Sequence, residues 1–299
     1  MLSHGAGLPN WRTADLPLMA HLPLGGRLRW QAALMLEGPD MVSSKFAMLL
    51  LAASLGACSM PQPGAGEDGP SAAVRVELPS RPGIMQPVLF TAAIAPVASV
   101  ILFPGGDGVL SGLGNNFLVR VSGQVAASGL NVALADAPSD QGAGMGTPFR
   151  SGEAQAKDVA AIVAFLRSKS PVPVWVVGTS RGSVSAANAA ERLGLSQIAG
   201  LVLTSAVWAD GMEAIPLDRI AVPTLVVHNR SDGCAGSPFD GATSAVPRLS
   251  QAPAKDLIAV SGGSGLGAPC RATSPHGYYG IEGAVVPPMV AWIKAHSAR

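Results

Sequence analysis

Residues 172–187 read VPVWVVGTSRGSVSAA, and no other stretch constrains the fold of this chain so tightly. The β-branched and aromatic run Val172–Val177 has the composition of a buried strand. It runs straight into G-T-S-R-G, and small residues suited to opening a helix follow. Strand, sharp turn and helix are therefore expected in sequence, with Ser180 at the tip. A serine squeezed between strand and helix takes a strained backbone angle, so Gly178 and Gly182 are expected to be glycines for lack of room. The helix opening near Gly182 aims its first amides at any negative charge that forms beside Ser180.

The pentapeptide alone is short, and 36 glycines in 299 residues make chance matches easy. Its place between a buried strand and a helix gives it weight. In that place it resembles the G-x-S-x-G nucleophile elbow of the α/β-hydrolase family. The resemblance implies a mostly parallel central sheet with helices on both faces, and a serine nucleophile served by an acid and a histidine further along the chain.

Composition narrows the function classes. Only 13% of residues are charged and the net charge is +1, so no basic surface for nucleic acid is expected. Hydrophobic residues make up 48%, ample for a large core. There is no H-E-x-x-H, Cys-x-x-Cys or carboxylate cluster, so neither a metal nor another cofactor is expected. The loose G-x-G-x-x-G around Gly262–Gly267 lacks an acidic ribose partner and is discounted as a dinucleotide site.

The first 72 residues read as something other than the folded domain. Residues 1–40 have no clean period and are expected to be a non-native or disordered extension ahead of a true start at Met41. Residues 41–58 carry Lys45, a 12-residue apolar run from Phe46 to Ala57, and Cys58. The run is too short to span a bilayer permanently. Leu55-Gly56-Ala57-Cys58 resembles the lipobox of a bacterial lipoprotein, which implies lipidation of Cys58 and membrane attachment through it. An ordinary cleaved signal with Cys58 incidental is the alternative. Either way the chain is expected to be exported, periplasmic or membrane-anchored. Residues 59–72 read as a linker, and residues 73–299 as one domain.

Within that domain, apolar strands alternate with amphipathic helices, the pattern of an α/β fold with a parallel sheet. Strands are expected at Ala73–Leu78, Val88–Ile94, Ser99–Phe103, Asn131–Ala135, Ile198–Thr204, Pro223–His228 and Ala254–Val260. Helices are expected at Asn116–Ala127, Glu153–Ser168, Ser183–Leu193, Pro238–Leu249 and Pro287–His296. Fewer than 20 residues, Ser205–Val222, stand where many members of the family insert a cap, so none is expected.

The resemblance places the acid at Asp232, four residues past the Pro223–His228 strand. Asp210, Asp218 and Asp240 compete for that role, and Asp136 reads as a turn or rim residue. His276, in S-P-H-G near the C-terminus, stands in the family's place for the base, with His228 as its rival. The order Ser180, Asp232, His276 is the family's order. Backbone amides of Gly106 and Arg181 are implied as the oxyanion hole, although Pro104 stands where the family commonly has histidine. Trp208 is expected to wall the acyl pocket or merely pack at the rim. In an oxidising compartment Cys234 and Cys270, whose loops the fold brings side by side, are expected to form a disulfide.

The implied chemistry is hydrolysis of carboxylic esters, with thioesters and lactones as related substrates, on small molecules and without a cap. The nearest resemblance is to small bacterial esterases of the dienelactone-hydrolase-like group. A non-catalytic envelope lipoprotein that kept the fold is the alternative.

Overall fold

The computed structural model describes residues 69–297. The expected extension 1–40, the signal 41–58 with Cys58 and most of the linker lie outside the described residues. The last linker residues are already engaged: the Ser71 amide donates to the Ala92 carbonyl at 3.0 Å.

Eight strands form one sheet: β1 (Val74–Arg81), β2 (Ile84–Thr91), β3 (Ala98–Phe103), β4 (Leu130–Ala135), β5 (Val174–Thr179), β6 (Gly200–Thr204), β7 (Thr224–Asn229) and β8 (Lys255–Val260). Their order across the sheet is β1-β2-β4-β3-β5-β6-β7-β8. The β1–β2 and β2–β4 pairs are antiparallel and the remaining pairs are parallel. The helices are α1 (Phe117–Ala127), the single turn α2 (Thr147–Arg150), α3 (Glu153–Lys169), α4 (Gly182–Gln197), α5 (Phe239–Arg248) and α6 (Glu282–Ser297).

The central strands are buried along their whole length, so both faces of the sheet are covered, as their continuous apolar sequences require. Side chains alternate between two cores. Ile101, Val176, Leu203 and Val226 face α3, α4 and α5, whereas Leu102, Trp175, Val202 and Val227 face α1 and α6. This is the period-2 rule read on both faces at once.

Several boundaries depart from expectation, and two of them show the local reason. β2 starts at Ile84 rather than Val88, because Arg81 pairs with Ile84 across a tight Pro82-Gly83 turn and the hairpin absorbs part of the PSRPG stretch. Gly83 sits at φ 72°, which a glycine adopts freely. α6 starts at Glu282, five residues before the expected Pro287. The N–H groups that Pro287 and Pro288 lack would have paired with the carbonyls of Gly283 and Ala284, both exposed residues that water can satisfy. The single turn α2 lies in the stretch between β4 and α3, and its Arg150 is fully buried.

The connection from β6 to β7 contains only two single 3₁₀ turns, Met212–Ala214 and Leu217–Arg219, so no cap domain stands over the sheet.

Candidate active site

Ser180 leaves the end of β5 with φ 51°, a left-handed angle uncommon for a non-glycine residue. Its amide donates to the Thr204 carbonyl at 3.1 Å, and its own carbonyl accepts from the Ser183 amide at 2.9 Å and the Ser183 hydroxyl at 2.6 Å. Both sides of the turn are thereby tied, and the strained residue is held. The flanking glycines are required by close approach rather than by their own torsion angles. A methyl at Gly182 would run into the Phe103 carbonyl, and one at Gly178 would come within 2.6 Å of Ser183 Cα.

The serine hydroxyl meets His276: Nε2 and Oγ are 3.0 Å apart. The other ring nitrogen, Nδ1, lies 2.8 Å from Asp232 Oδ2. The Asp232 side chain is completely buried and otherwise satisfied, with Oδ1 accepting from the Cys234 amide at 2.9 Å and Oδ2 from the Ser237 hydroxyl at 3.1 Å. A buried carboxylate with three donors stays oriented, and the His276 Nδ1–H is the donor left for the ring. That tautomer leaves Nε2 free to accept the Ser180 proton.

His228 sits on the far side of the acid. Its Nε2 donates to the Ser237 carbonyl at 2.9 Å and is 3.6 Å from Asp232 Oδ2, too long for a hydrogen bond. Burial pushes this imidazole below its ordinary value. His228 thus backs the acid loop and does not reach Ser180. The competing carboxylates are elsewhere. Asp210 pairs with Arg181 at 3.1 Å and accepts from the Thr147 hydroxyl at 3.1 Å, Asp240 opens α5, and the Asp218 carbonyl accepts from Ser250. Asp136 is a structural acceptor for the Leu110 amide and Arg75.

The base loop is pinned from several sides. Asn229, at the end of β7, donates to the Gly262 and Pro275 carbonyls at 2.8 and 3.0 Å. Arg120 on α1 reaches the carbonyls of Gly277, Ala272 and Asn115 and pairs with Glu282 at 2.5 Å. The buried Tyr278 hydroxyl accepts from the Ser205 amide at 2.8 Å and donates to the Val227 carbonyl at 2.7 Å. Burial pushes that phenol well above its ordinary value. The disulfide Cys234–Cys270 is formed and joins the acid loop to the base loop. None of the roles of Arg120, Asn229 and Tyr278 is foreshadowed in sequence, because each partner lies in a different element.

The loop after β3 lies directly over the serine: a methyl on Gly105 would stand 2.7 Å from Ser180 Cβ. The Gly105 carbonyl accepts from the Gly108 amide at 3.2 Å, which in a trans peptide turns the Gly106 N–H the opposite way. Among the described residues, no backbone carbonyl accepts from the amide of Gly106 or of Arg181. Gly106 (φ 60°), Ser180 and His276 all face one cleft of about 450 Å³. Leu113 to Phe117 wall it from the segment before α1, and Cys270 to Thr273 from the segment before His276. Trp208, expected as an acyl-site wall, does not line it. Its ring packs on Gly241 of α5, 6.4 Å from the His228 ring, because the segment after β6 folds down toward α5 rather than out over the cleft. Among the described residues no group of three or more His, Cys, Asp or Glu side chains is placed to hold a metal.

No family sequence model matches the chain, and no curated protein matches it in sequence. Solved structures do match. An esterase from Pyrococcus furiosus is 14% identical, with a TM-score of 0.57 over 75% of this chain and 92% of its own. A dienelactone hydrolase from Anabaena variabilis is 16% identical, with a TM-score of 0.57 over 77% of this chain and 100% of its own. A lidless α/β serine hydrolase from Xanthomonas campestris is 14% identical, with a TM-score of 0.55 over 77% of this chain and 97% of its own. With the sheet order and the strand–turn–helix at Ser180 already in hand, these likenesses establish that the chain has the α/β-hydrolase fold.

Proposed function

We propose that this chain is a serine hydrolase that cleaves carboxylic esters through an acyl-serine intermediate. The observation that carries the reading is the unbroken line of hydrogen bonds from Ser180 Oγ through the His276 ring to buried Asp232, at the floor of an open cleft. In the proposed reaction Ser180 Oγ bonds to the substrate carbonyl carbon as its proton passes to His276 Nε2. Asp232 stabilises the resulting imidazolium and holds its orientation. The amides of Arg181 and Gly106 receive the oxyanion. As the tetrahedral species collapses, the ester C–O bond breaks, His276 returns the proton to the departing alcohol, and the acyl group remains on Ser180. Water, deprotonated by His276, then releases the carboxylic acid and restores the serine.

The esterase and dienelactone-hydrolase names carried by structural neighbours agree with this substrate class. The disulfide fits an oxidising compartment and supports export. We extend the proposal to Cys58 as a lipid-modified mature N-terminus, for which mass spectrometry of the mature protein is the test. The hydrolase reading is tested with a fluorophosphonate probe. Wild-type protein is expected to be labelled and Ser180→Ala to be unlabelled, with turnover of p-nitrophenyl acetate falling by several orders of magnitude. A folded wild-type protein that takes no label ends the reading.

A further inference from the structure

Among the described residues Arg150 is the one arginine whose side chain is completely buried, and it sits behind the cleft floor. Its guanidinium makes three hydrogen bonds, all to uncharged groups: the Met145 carbonyl at 3.1 Å, the Ser185 hydroxyl at 3.1 Å and the Gly106 carbonyl at 3.2 Å. Among the described residues no carboxylate lies within ion-pairing distance of it. The charges that act on it from further off are Arg181, which opposes its own, and Asp107. Burial and Arg181 together lower its pKa to about 10. A buried cation with no counter-ion costs stability, and such a group is usually neutralised or paired. Here it is neither.

Its position suggests what offsets that cost. Gly106 belongs to the loop packed on Ser180, and Ser185 belongs to the first turns of α4, the helix that follows Arg181. The guanidinium therefore clamps together the two elements whose amides are proposed to bind the oxyanion. Gly108 leaves room for it, since a methyl there would come within 2.7 Å of one guanidinium nitrogen.

We propose that Arg150 is a positioning residue for the oxyanion hole: its guanidinium holds the Gly105–Gly108 loop against the start of α4, and its unneutralised charge favours the anionic tetrahedral intermediate over the neutral ester. The inference rests on the serine-hydrolase reading. Arg150 does not line the cleft, and the anion that forms during turnover supplies the counter-charge its neighbours lack. In a poorly screened interior that attraction extends past the first layer of contacts. Because it acts only on the charged species, it belongs to kcat rather than to KM.

The test compares wild type, Arg150→Lys and Arg150→Met. All three are assayed with p-nitrophenyl acetate, a fluorophosphonate probe and a trifluoromethyl ketone whose adduct with serine carries an oxyanion. Thermal melts establish that each is folded. Arg150→Met is expected to lose about 10- to 100-fold in kcat with KM within about two-fold of wild type, and to bind the ketone more weakly by a similar factor. Arg150→Lys keeps a charge only while its ammonium is protonated, so it is compared with wild type at each pH between about 6 and 9 and is expected to retain most of kcat at the acid end. The inference is overturned if Arg150→Met keeps wild-type kcat, if the loss falls on KM, or if the lysine variant is as impaired as the methionine one at every pH. Should Arg150→Met not fold, Arg150→Lys decides: a kcat near that of wild type at the acid end supports the role of the charge, and collapse of kcat at every pH refutes it. A wild-type protein that takes no label instead overturns the hydrolase reading itself.

Discussion

Ser180 carries its strained angle only because neighbours without side chains let three backbone segments converge on it. Gly105 is the one whose missing Cβ faces the nucleophile itself, leaving 2.7 Å to Ser180 Cβ and 3.0 Å to the Thr179 carbonyl. Gly105→Ala must push the loop off the serine. It is expected to lower fluorophosphonate labelling at least about ten-fold, and because Gly105 is buried the melting temperature falls as well. Labelling at the wild-type rate would show that the loop has slack. Within the same few ångströms, His228 makes a different prediction. Its folded-state affinity for protons is lowered by burial, so below its ordinary value of 6.5 the unfolded chain takes up a proton that the folded one refuses. Stability therefore falls as pH drops below that value. His228→Gln removes this titration, and a melting temperature that falls less steeply than wild type between about pH 7 and pH 5 is the expected result.

At the scale of elements, the acid and the base arrive on separate loops, after β7 and after β8, and two links join them. One is Asn229, which bonds two carbonyls of the later segment. The other is the Cys234–Cys270 disulfide, which closes a 36-residue separation. Loop-closure entropy makes that bridge worth up to about 4 kcal/mol. In a domain of this size the loss corresponds to a melting temperature lower by about 10 °C. Reduction of the folded protein, or the Cys234→Ala/Cys270→Ala double variant, is expected to show that drop together with a lower kcat, because the freed loop carries the residue 234 backbone amide that orients Asp232. An unchanged melting temperature would mean that the loops are held without the bridge.

For the molecule as a whole, the short β6–β7 connection leaves the cleft open to solvent, and its walls are largely glycine, asparagine and threonine, with Leu113, Phe117 and the small Ala272 as the apolar members. Phe117 is itself almost fully buried, so the cleft offers little greasy surface to a long acyl chain. Each methylene that finds an apolar wall gains roughly 0.8 kcal/mol, and one that stays in water gains nothing. Along a series of p-nitrophenyl esters, kcat/KM is expected to be highest among acetate to butyrate and to fall toward laurate. A maximum at laurate would require an apolar channel that the described residues do not contain.

Much of this was legible in the chain order of residues, and the reason is locality. The elbow is written in consecutive residues, since the strand propensity of Val172–Val177, the two glycines and the small helix-opening residues all act on their own backbone. The same holds for the central strands, whose apolar runs demand cover on both faces, and for Asn116, whose side chain caps α1 by accepting from the Leu118 amide at 3.1 Å. What tertiary structure alone decided concerns residues whose partners are remote in sequence. It set His228, within β7, behind the acid and His276, on the loop after β8, in front of it. It turned Trp208 toward α5, and it buried Arg150, which in sequence is one polar residue in a loop. Local propensity fixes the direction in which the backbone leaves each strand. Which loops then meet above the sheet depends on the order of the strands within it, and that order is settled only when the two cores close.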